Sequence, residues 1–539
     1  MSLVNFNNIR VLVADDFSSF RTTIGSMLNK LGVMQVENAS TAKEAIELCR
    51  VKTFDVVLCD HELGAGRTGQ HVLEELRHCQ LLPLTSVFVL VSADVSRDVV
   101  MSAYDCQPDD YLAKPINGQM LEKRLTRLLN QRAPLKPALE SIEAGDQRSA
   151  IIHLTDLAIS GGRSALPAQK LLGELFIESN QLDKAEKLYA KALEVKSLDW
   201  AKLGMARVKQ LQGELASSQQ DLQEIIDDNP LYLPAYDSLV DNYERQGEPK
   251  KVIEVVQRSA EVSPNSILRQ KKLAHLAEQG GDVRTACRAL KKALKLGEKS
   301  VHGSMDDALH LGRIVAKAPD SILEDDPFLL NETINAIHSA RDHFDCGEKE
   351  SIQMGFVEGR IHLKSGNQDK AHSVISHYED MCVLLEDNDI DIDIERIHAL
   401  HDIGEHEQAD ILLRKLLQQY AYDQDALEKL DALLNEPVSE ANKSMVAKIN
   451  REGIDLYNQN LFDEALMCFD KARRSFPKHV GIQLNIVQTL LGKIKAGDGG
   501  VEVEKDMRDA LDLVGKLIDP DYSQFSRYKR LCEMADETI

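Results

Sequence analysis

The chain has 539 residues, 43% of them hydrophobic but only 5% aromatic, and a formal net charge of −23. That length exceeds what one hydrophobic core organises and predicts roughly three or four domain-sized units, unless repeats carry much of it. The acidic balance argues against a general nucleic-acid surface; no apolar stretch is long enough to cross a bilayer, and no basic segment followed by an apolar run opens the chain. A soluble protein with neither a nucleic-acid nor a membrane partner is expected. The nine cysteines are scattered without CxxC spacing, which suits free thiols in a reducing cytoplasm rather than a disulfide frame or zinc site. The pairs His338/His343 and His398/His401 read as surface or packing residues rather than ligands.

Up to about residue 130, short apolar runs alternate with helical patterns. Strands are predicted at Ile9 to Ala14, Val56 to Cys59, Val87 to Val91 and Tyr111 to Leu112, with a weaker one at Gln35 to Glu37. Between them, "FRTTIGSMLNKL", "TAKEAIELCRVK" and "GQHVLEELRHC" carry helical periodicity. This alternation predicts a five-stranded parallel sheet covered on both faces.

In such sheets chemistry gathers beyond the carboxyl ends of the strands. Asp15 and Asp16 follow the first strand, Asp60 ends the third, Ser92 follows the fourth and Lys114 the fifth. One Asp after a strand is commonly a turn or cap; five suitable residues at successive strand ends predict a shared acidic site. Clustered carboxylates call for a counter-ion, and a hard cation such as Mg2+ matches oxygen ligands. Asp60 would then be a nucleophile toward a phosphoryl group, with Ser92 and Lys114 meeting phosphoryl oxygens.

This constellation resembles the receiver domain of bacterial response regulators, of CheY-like (flavodoxin-like) α/β fold, over residues 8 to 130. The resemblance implies that Asp60 accepts phosphate from a sensor histidine kinase or phosphotransfer protein. It further implies that Ser92 is the switch hydroxyl, Lys114 the conserved lysine and Tyr111, within "DDYLAKP", the rotating aromatic. The expected Mg2+ site comprises Asp15, Asp16, Asp60 and His61. The sequence departs from the family in "HELGAGRTG", where Gly64 stands at the usual proline place and one extra residue precedes Gly69. Glu62 and Asp94 are candidates for altering water access to the phosphate.

From about residue 131 the pattern is helical alone, and "RAPLKP" marks the change. Gly213, Gly247 and Gly281 repeat every 34 residues, and Pro230 and Pro264 keep the same step. Compact residues Gly173, Ala206, Val240 and Ala274 each precede Ala185, Ser218, Val252 and Ala286 by twelve positions, and larger apolar residues follow four positions later at Tyr189, Leu222, Val256 and Leu290. This pattern resembles tetratricopeptide (TPR) repeats, pairs of antiparallel helices. A further match comprises Gly453, Ala465, Phe469, Ala472 and Pro477, and Gly359 and Ala371 repeat the interval. Residues 300 to 345 fit poorly, and "EDNDIDIDIE" reads as either a loop or an irregular helix start. Trp200 reads as core packing in preference to a binding anchor.

The expected organisation is a receiver over 1–130, a linker over 131–136, TPR-like repeats over 137–298, an irregular helical segment over 299–345 and further repeats over 346–539. No Walker-type phosphate loop, kinase, nuclease or cyclic-dinucleotide synthesis motif is found, so the chain is not expected to be an enzyme. The expected function is a phosphorylation-regulated signalling adaptor whose repeat surface grips a downstream protein target. The alternatives are a phosphate sink or phosphorelay intermediate and, last, a nucleic-acid-binding output regulator. Homodimer formation is left open.

Overall fold

The computed structural model describes residues 5–64, 66–93, 106–344, 346–385, 389–518 and 520–538. The chain divides into two compact units, Met1–Asp345 and Cys346–Ile539. The first opens with strands β1 (Arg10–Ala14), β2 (Gln35–Ala39), β3 (Val56–Asp60), β4 (Val87–Ser92) and β5 (Asp110–Ala113). They form one five-stranded sheet in the order β2-β1-β3-β4-β5, with every pair parallel. The central strands β3 and β4 are buried along their whole length, so both read as unbroken apolar runs. Strand β2 lies at an edge with Gln35 and Asn38 exposed, which explains its weak apolar signal.

Helices α1 (Ser18–Lys30), α2 (Ala42–Val51), α3 (Gly69–His78) and α4 (Gly118–Arg132) cover the sheet. Because side chains alternate along a strand, Leu12, Val57, Phe88 and Leu90 pack toward α2 and α3. Val11, Val13, Leu58 and Val89 pack toward α1 and α4. The register pairs Ala14 with Cys59, Asp60 with Val91 and Ser92 with Ala113. The carboxyl ends of β1, β3, β4 and β5 are therefore level.

The proline-bearing segment after α4 is helical: a 3-10 turn at Ala133–Leu135 leads directly into a helix at Lys136–Glu143, with Pro134 and Pro137 in the first turns. Proline is tolerated there because no intrahelical partner is lost. Leu135 and Leu139 are buried in a cluster with Leu154 and Leu172, and Leu84, from the turn before β4, packs against the same cluster.

Beyond this point the described residues form helices only. In the first unit, helices at Ala165–Glu178, Leu182–Val195, Asp199–Leu211, Leu215–Asp228, Leu233–Gln246, Pro249–Val262, Ile267–Gln279 and Val283–Gly297 each pack on the next. Gly213, Gly247 and Gly281 follow alternate helices with left-handed φ values of 88°, 72° and 78°, a conformation in which a side chain would be strained. The compact positions and their larger partners are buried: Ala206, Ala274, Ala185, Ala286, Tyr189, Leu222 and Leu290 are all at most 1% exposed. The segment 300–345 contains helices at Met305–Lys317, Asp320–Asp325 and Leu329–His343.

In the second unit the same pairing of a small residue with a larger one recurs. A methyl added at Gly359 would meet Ile375, and one at Gly453 would meet Phe469. Within "EDNDIDIDIE" a helix runs over Ile390–Asp402, and the Asp389 carboxylate caps it by accepting the Asp391 N–H at 3.1 Å. No helix among the described residues is long and apolar enough to cross a membrane, and the nine cysteines are free thiols.

Tyr189 shows how closely the first helices fit. Its ring lies where a methyl on Gly173 would come within 2.5 Å and one on Gly204 within 2.2 Å, and it meets the half-buried Trp200 edge-on at 6.1 Å. Trp200 thus belongs to the packing of this cluster. Alanine in place of a helical glycine ordinarily gains up to about 1 kcal/mol. Here overpacking reverses the sign: Gly204→Ala should destabilise the first unit by about 1–3 kcal/mol. Gly25→Ala in α1, where the added methyl meets nothing within 4 Å, should be neutral or stabilising. Denaturant midpoints of the two variants, read against the unsubstituted chain, check the opposite signs.

Candidate functional site

The level strand ends bring four elements to one place. Asp15 stands one residue beyond β1, Asp60 closes β3, Ser92 closes β4 and Lys114 stands one residue beyond β5. Asp15 is fully buried and Asp60 is 5% exposed. Oxygens of Asp15, Asp16 and Asp60 lie within 4.8 Å of one another. His61 is not part of this group: its N–H donates to the Val91 carbonyl at 2.7 Å and its carbonyl accepts the Gly69 N–H at 2.9 Å.

The ammonium of Lys114 offsets much of the repulsion. Its Nζ donates to Asp15 Oδ2 and to Asp60 Oδ2, both at 2.7 Å, and it lies 4.2 Å from the centre of the Phe20 ring, a cation–π position. The Lys114 N–H donates to the Ser92 carbonyl at 2.8 Å, which fixes the end of β5 against β4. The Lys114–Pro115 peptide is cis. Burial draws the lysine toward neutrality, but the Asp15 and Asp60 carboxylates prevail and hold its pKa above the usual range. The Asp60 pKa is raised as well, which for a carboxyl disfavours the charged form. Burial pushes its carboxyl up to about 6, against the pull of Lys114 and with the Asp15 charge adding to the rise.

Oδ1 of Asp16 is shielded from solvent and has no hydrogen-bond partner. Three carboxylates, one of them with an orphaned oxygen, form a hard-donor set of the kind a small divalent cation satisfies. The residues present fit such an ion.

The remaining expected residues are placed differently. Ser92 is buried at the sheet's carboxyl edge, beside Ala113 in the register. Tyr111 pairs with Leu90, back from the strand ends, and is half-buried against the α2/α3 side of the core; burial raises its phenol pKa. Glu62 is exposed, and Asp94 lies outside the described residues. Gly64 has a left-handed φ of 74°, so a flexible residue serves where a proline was the family expectation. Gly69 is under tight constraint, since an added methyl would sit 2.2 Å from the Asp60 carbonyl oxygen.

Two supporting residues escaped the sequence reading. The Arg21 guanidinium donates to the carbonyls of Asp15 at 2.5 Å and Asp16 at 3.2 Å, pinning the backbone of the acidic pair. Phe20 lies beneath Lys114. The only sequence signal for either was its position in the first turn of the helix that follows the acidic pair.

Comparison with known proteins agrees with this geometry. Residues 11–126 match the response regulator receiver domain family. Residues 11–126 are a CheY-like receiver domain. The chain is 26% identical over 123 residues to the chemotaxis protein CheY of Pseudomonas aeruginosa, covering 23% of this chain and 98% of the relative. It is 24% identical over 131 residues to CheY-3 of Vibrio cholerae serotype O1, covering 24% and 99%. Among solved structures, CheY4 of Vibrio cholerae matches with 25% identity and a TM-score of 0.21, over 22% of this chain and 98% of that one.

The raised pKa of Asp60 has a consequence for stability without added cations. A carboxyl held above its ordinary value makes ionisation costly in the folded state, so this group favours folding below about pH 4 and loses that contribution as pH rises through about 6. In a chelating buffer at pH 8, Asp60→Asn should stabilise the first unit by about 1–3 kcal/mol, with the gain shrinking below pH 6. Thermal melts of both forms across that range check it, and a destabilised Asn variant at pH 8 would contradict the assignment of burial as the dominant influence.

Proposed function

We propose that the protein is a phosphorylation-regulated signalling adaptor in which Asp60 accepts a phosphoryl group and the helical region, read as TPR-like repeats, holds a protein target. The observation that supports it best is the buried Asp60 carboxylate, facing Lys114 and flanked by Asp15 and Asp16 at level strand ends.

An Asp60 oxygen attacks phosphorus in a phosphohistidine of a sensor kinase or phosphotransfer protein. The donor's bond to phosphorus breaks, its electron pair leaves with the donor, and Asp60 becomes an acyl phosphate. Lys114, already within 2.7 Å of Asp60 Oδ2, is positioned to pair with a phosphoryl oxygen, and Ser92 to donate to another. Asp15, Asp16 and Asp60 would hold Mg2+, whose charge neutralises the entering phosphoryl group. Phosphoryl transfer depends mostly on such positioning and charge compensation, and these side chains supply both. Tyr111 is assigned as the aromatic that responds to the new state of Ser92.

The repeat reading is supported by the 34-residue spacing of Gly213, Gly247 and Gly281, each with a left-handed turn, and by the successive packing of helix on helix. Such stacks present extended surfaces to other chains. A phosphoryl group on the receiver regulates that surface only if a target binds the two states with different free energy.

Intact-mass spectrometry after incubation with acetyl phosphate and Mg2+ tests the acceptor. One phosphoryl adduct is expected in the unsubstituted chain, none in Asp60→Asn, and slowing on the order of 100- to 1,000-fold in Lys114→Ala. An adduct that survives in Asp60→Asn would place the acceptor elsewhere.

A further inference from the structure

A second set of contacts on the receiver is unused by the phosphoryl chemistry. The loop between β3 and α3 is tied at both feet: the His61 carbonyl accepts the Gly69 N–H at 2.9 Å, and the close approach of Gly69 to the Asp60 carbonyl leaves no room for a side chain. Asp60 stands at one foot and Arg67 near the other. Near that second foot the loop makes a contact outside the receiver fold. Arg67 Nε donates to the carbonyl of Lys299 at 2.9 Å, while another guanidinium nitrogen pairs with Glu75 at 2.5 Å.

Helix α3 continues the contact. Ser300 Oγ donates to Glu74 Oε2 at 2.6 Å, and the rings of His78 and His302 meet edge-on at 5.2 Å. Glu74 and His78 are one turn apart on a single face of α3, and residues 299, 300 and 302 reach them from the loop that follows the helix Val283–Gly297. Sequence separation is 232 residues for the Arg67 contact, yet both partners belong to the first compact unit.

The receiving loop is itself held firmly. A side chain on Gly303 would collide with the Gly297 carbonyl, so the two ends of the loop nearly touch. Lys271 Nζ donates to the His302 carbonyl at 2.6 Å and pairs with Asp307 at 2.8 Å. One lysine thereby joins the loop to the helices Ile267–Gln279 and Met305–Lys317. Residues 299–302 are thus tied to two helices of the array.

We propose that the face of α3 bearing Glu74 and His78, with Arg67 at its edge, is an intramolecular docking surface for residues 299–302, and that through it the helical repeats read the state of Asp60. The inference rests on the reading of Asp60 as the phosphoryl acceptor. A group added to Asp60 must be accommodated by a loop whose two feet adjoin that residue, and the same loop carries Arg67 to Lys299. The contact consists of a few polar bonds and one ring pair, a composition suited to reversible docking rather than a permanent core. By linkage the coupling acts in both directions: if phosphate alters the docking, loss of docking alters the phosphorylation equilibrium.

Hydrogen–deuterium exchange on the full chain tests the proposal, with intact mass measured on the same samples before and after acetyl phosphate and Mg2+. Amides over 297–303 should change exchange rate at least three-fold when Asp60 is phosphorylated, and should not respond in Asp60→Asn. In the double variant Arg67→Ala, Ser300→Ala, those amides should exchange fast in either state, and phosphoryl occupancy at a fixed acetyl phosphate concentration should shift at least two-fold from the unsubstituted chain. Ser300→Ala alone gives a milder form of the same test if the double variant folds poorly. Phosphoryl gained with unchanged exchange over 297–303 overturns the docking role and leaves the acceptor intact. No phosphoryl gained overturns the acceptor reading and this inference with it.

Discussion

One ammonium group bridging two buried carboxylates is the constraint around which the receiver is arranged. Asp15 and Asp60 close separate strands and would repel each other in a site largely removed from water. Lys114 reaches both from a third strand. For that bridge to form, β1, β3 and β5 must end at one level, and the register of the parallel sheet supplies this. Phe20 beneath the lysine and Arg21 on the carbonyls of the acidic pair hold the bridge in place. The arrangement remains electrostatically tense, since Asp60 stays harder to ionise than an ordinary carboxylate despite its cationic neighbour. A bound cation and an incoming phosphoryl group both act on that tension.

Much of the site was legible because its residues fall at places where a periodic pattern stops. The run "VVLC" is buried on both faces and ends in Asp60, and an apolar strand that terminates in a charge reveals a sheet's carboxyl edge without any structure. Lys114 and Ser92 were readable for the same reason. Arg21 and Phe20 were not, because their roles depend on where α1 returns over the strand ends, and helical sequence does not specify the crossing. His61 follows the acceptor directly, yet its backbone is engaged in holding the sheet and the loop, so adjacency in sequence did not bring it into the acidic group.

The helical region divides along the same line. Glycines at a fixed step and small residues opposite larger ones were visible, because repetition is a property of sequence. Gly204 was not among them, although its lack of a side chain is what admits the Tyr189 ring; nothing in its immediate neighbours marks that requirement. The meeting of Arg67 with Lys299 is still further from view. It joins a loop of one fold to a loop of another, with no shared period and no complementary motif, and only the folded unit brings them together.

The packing of Leu84 bears on how far the receiver is a separable part. Leu84 belongs to the α/β fold by sequence, but its side chain joins the cluster of Leu135, Leu139, Leu154 and Leu172, and the chain runs from α4 to Glu143 in helical conformation without a spacer. A receiver cut away after Arg132 would carry this leucine as an apolar scar facing water. Its neighbours would lose the wall they were shaped against. The boundary at which this receiver parts cleanly from the rest of the chain therefore falls beyond its last helix, after the first helices that Leu84 packs against.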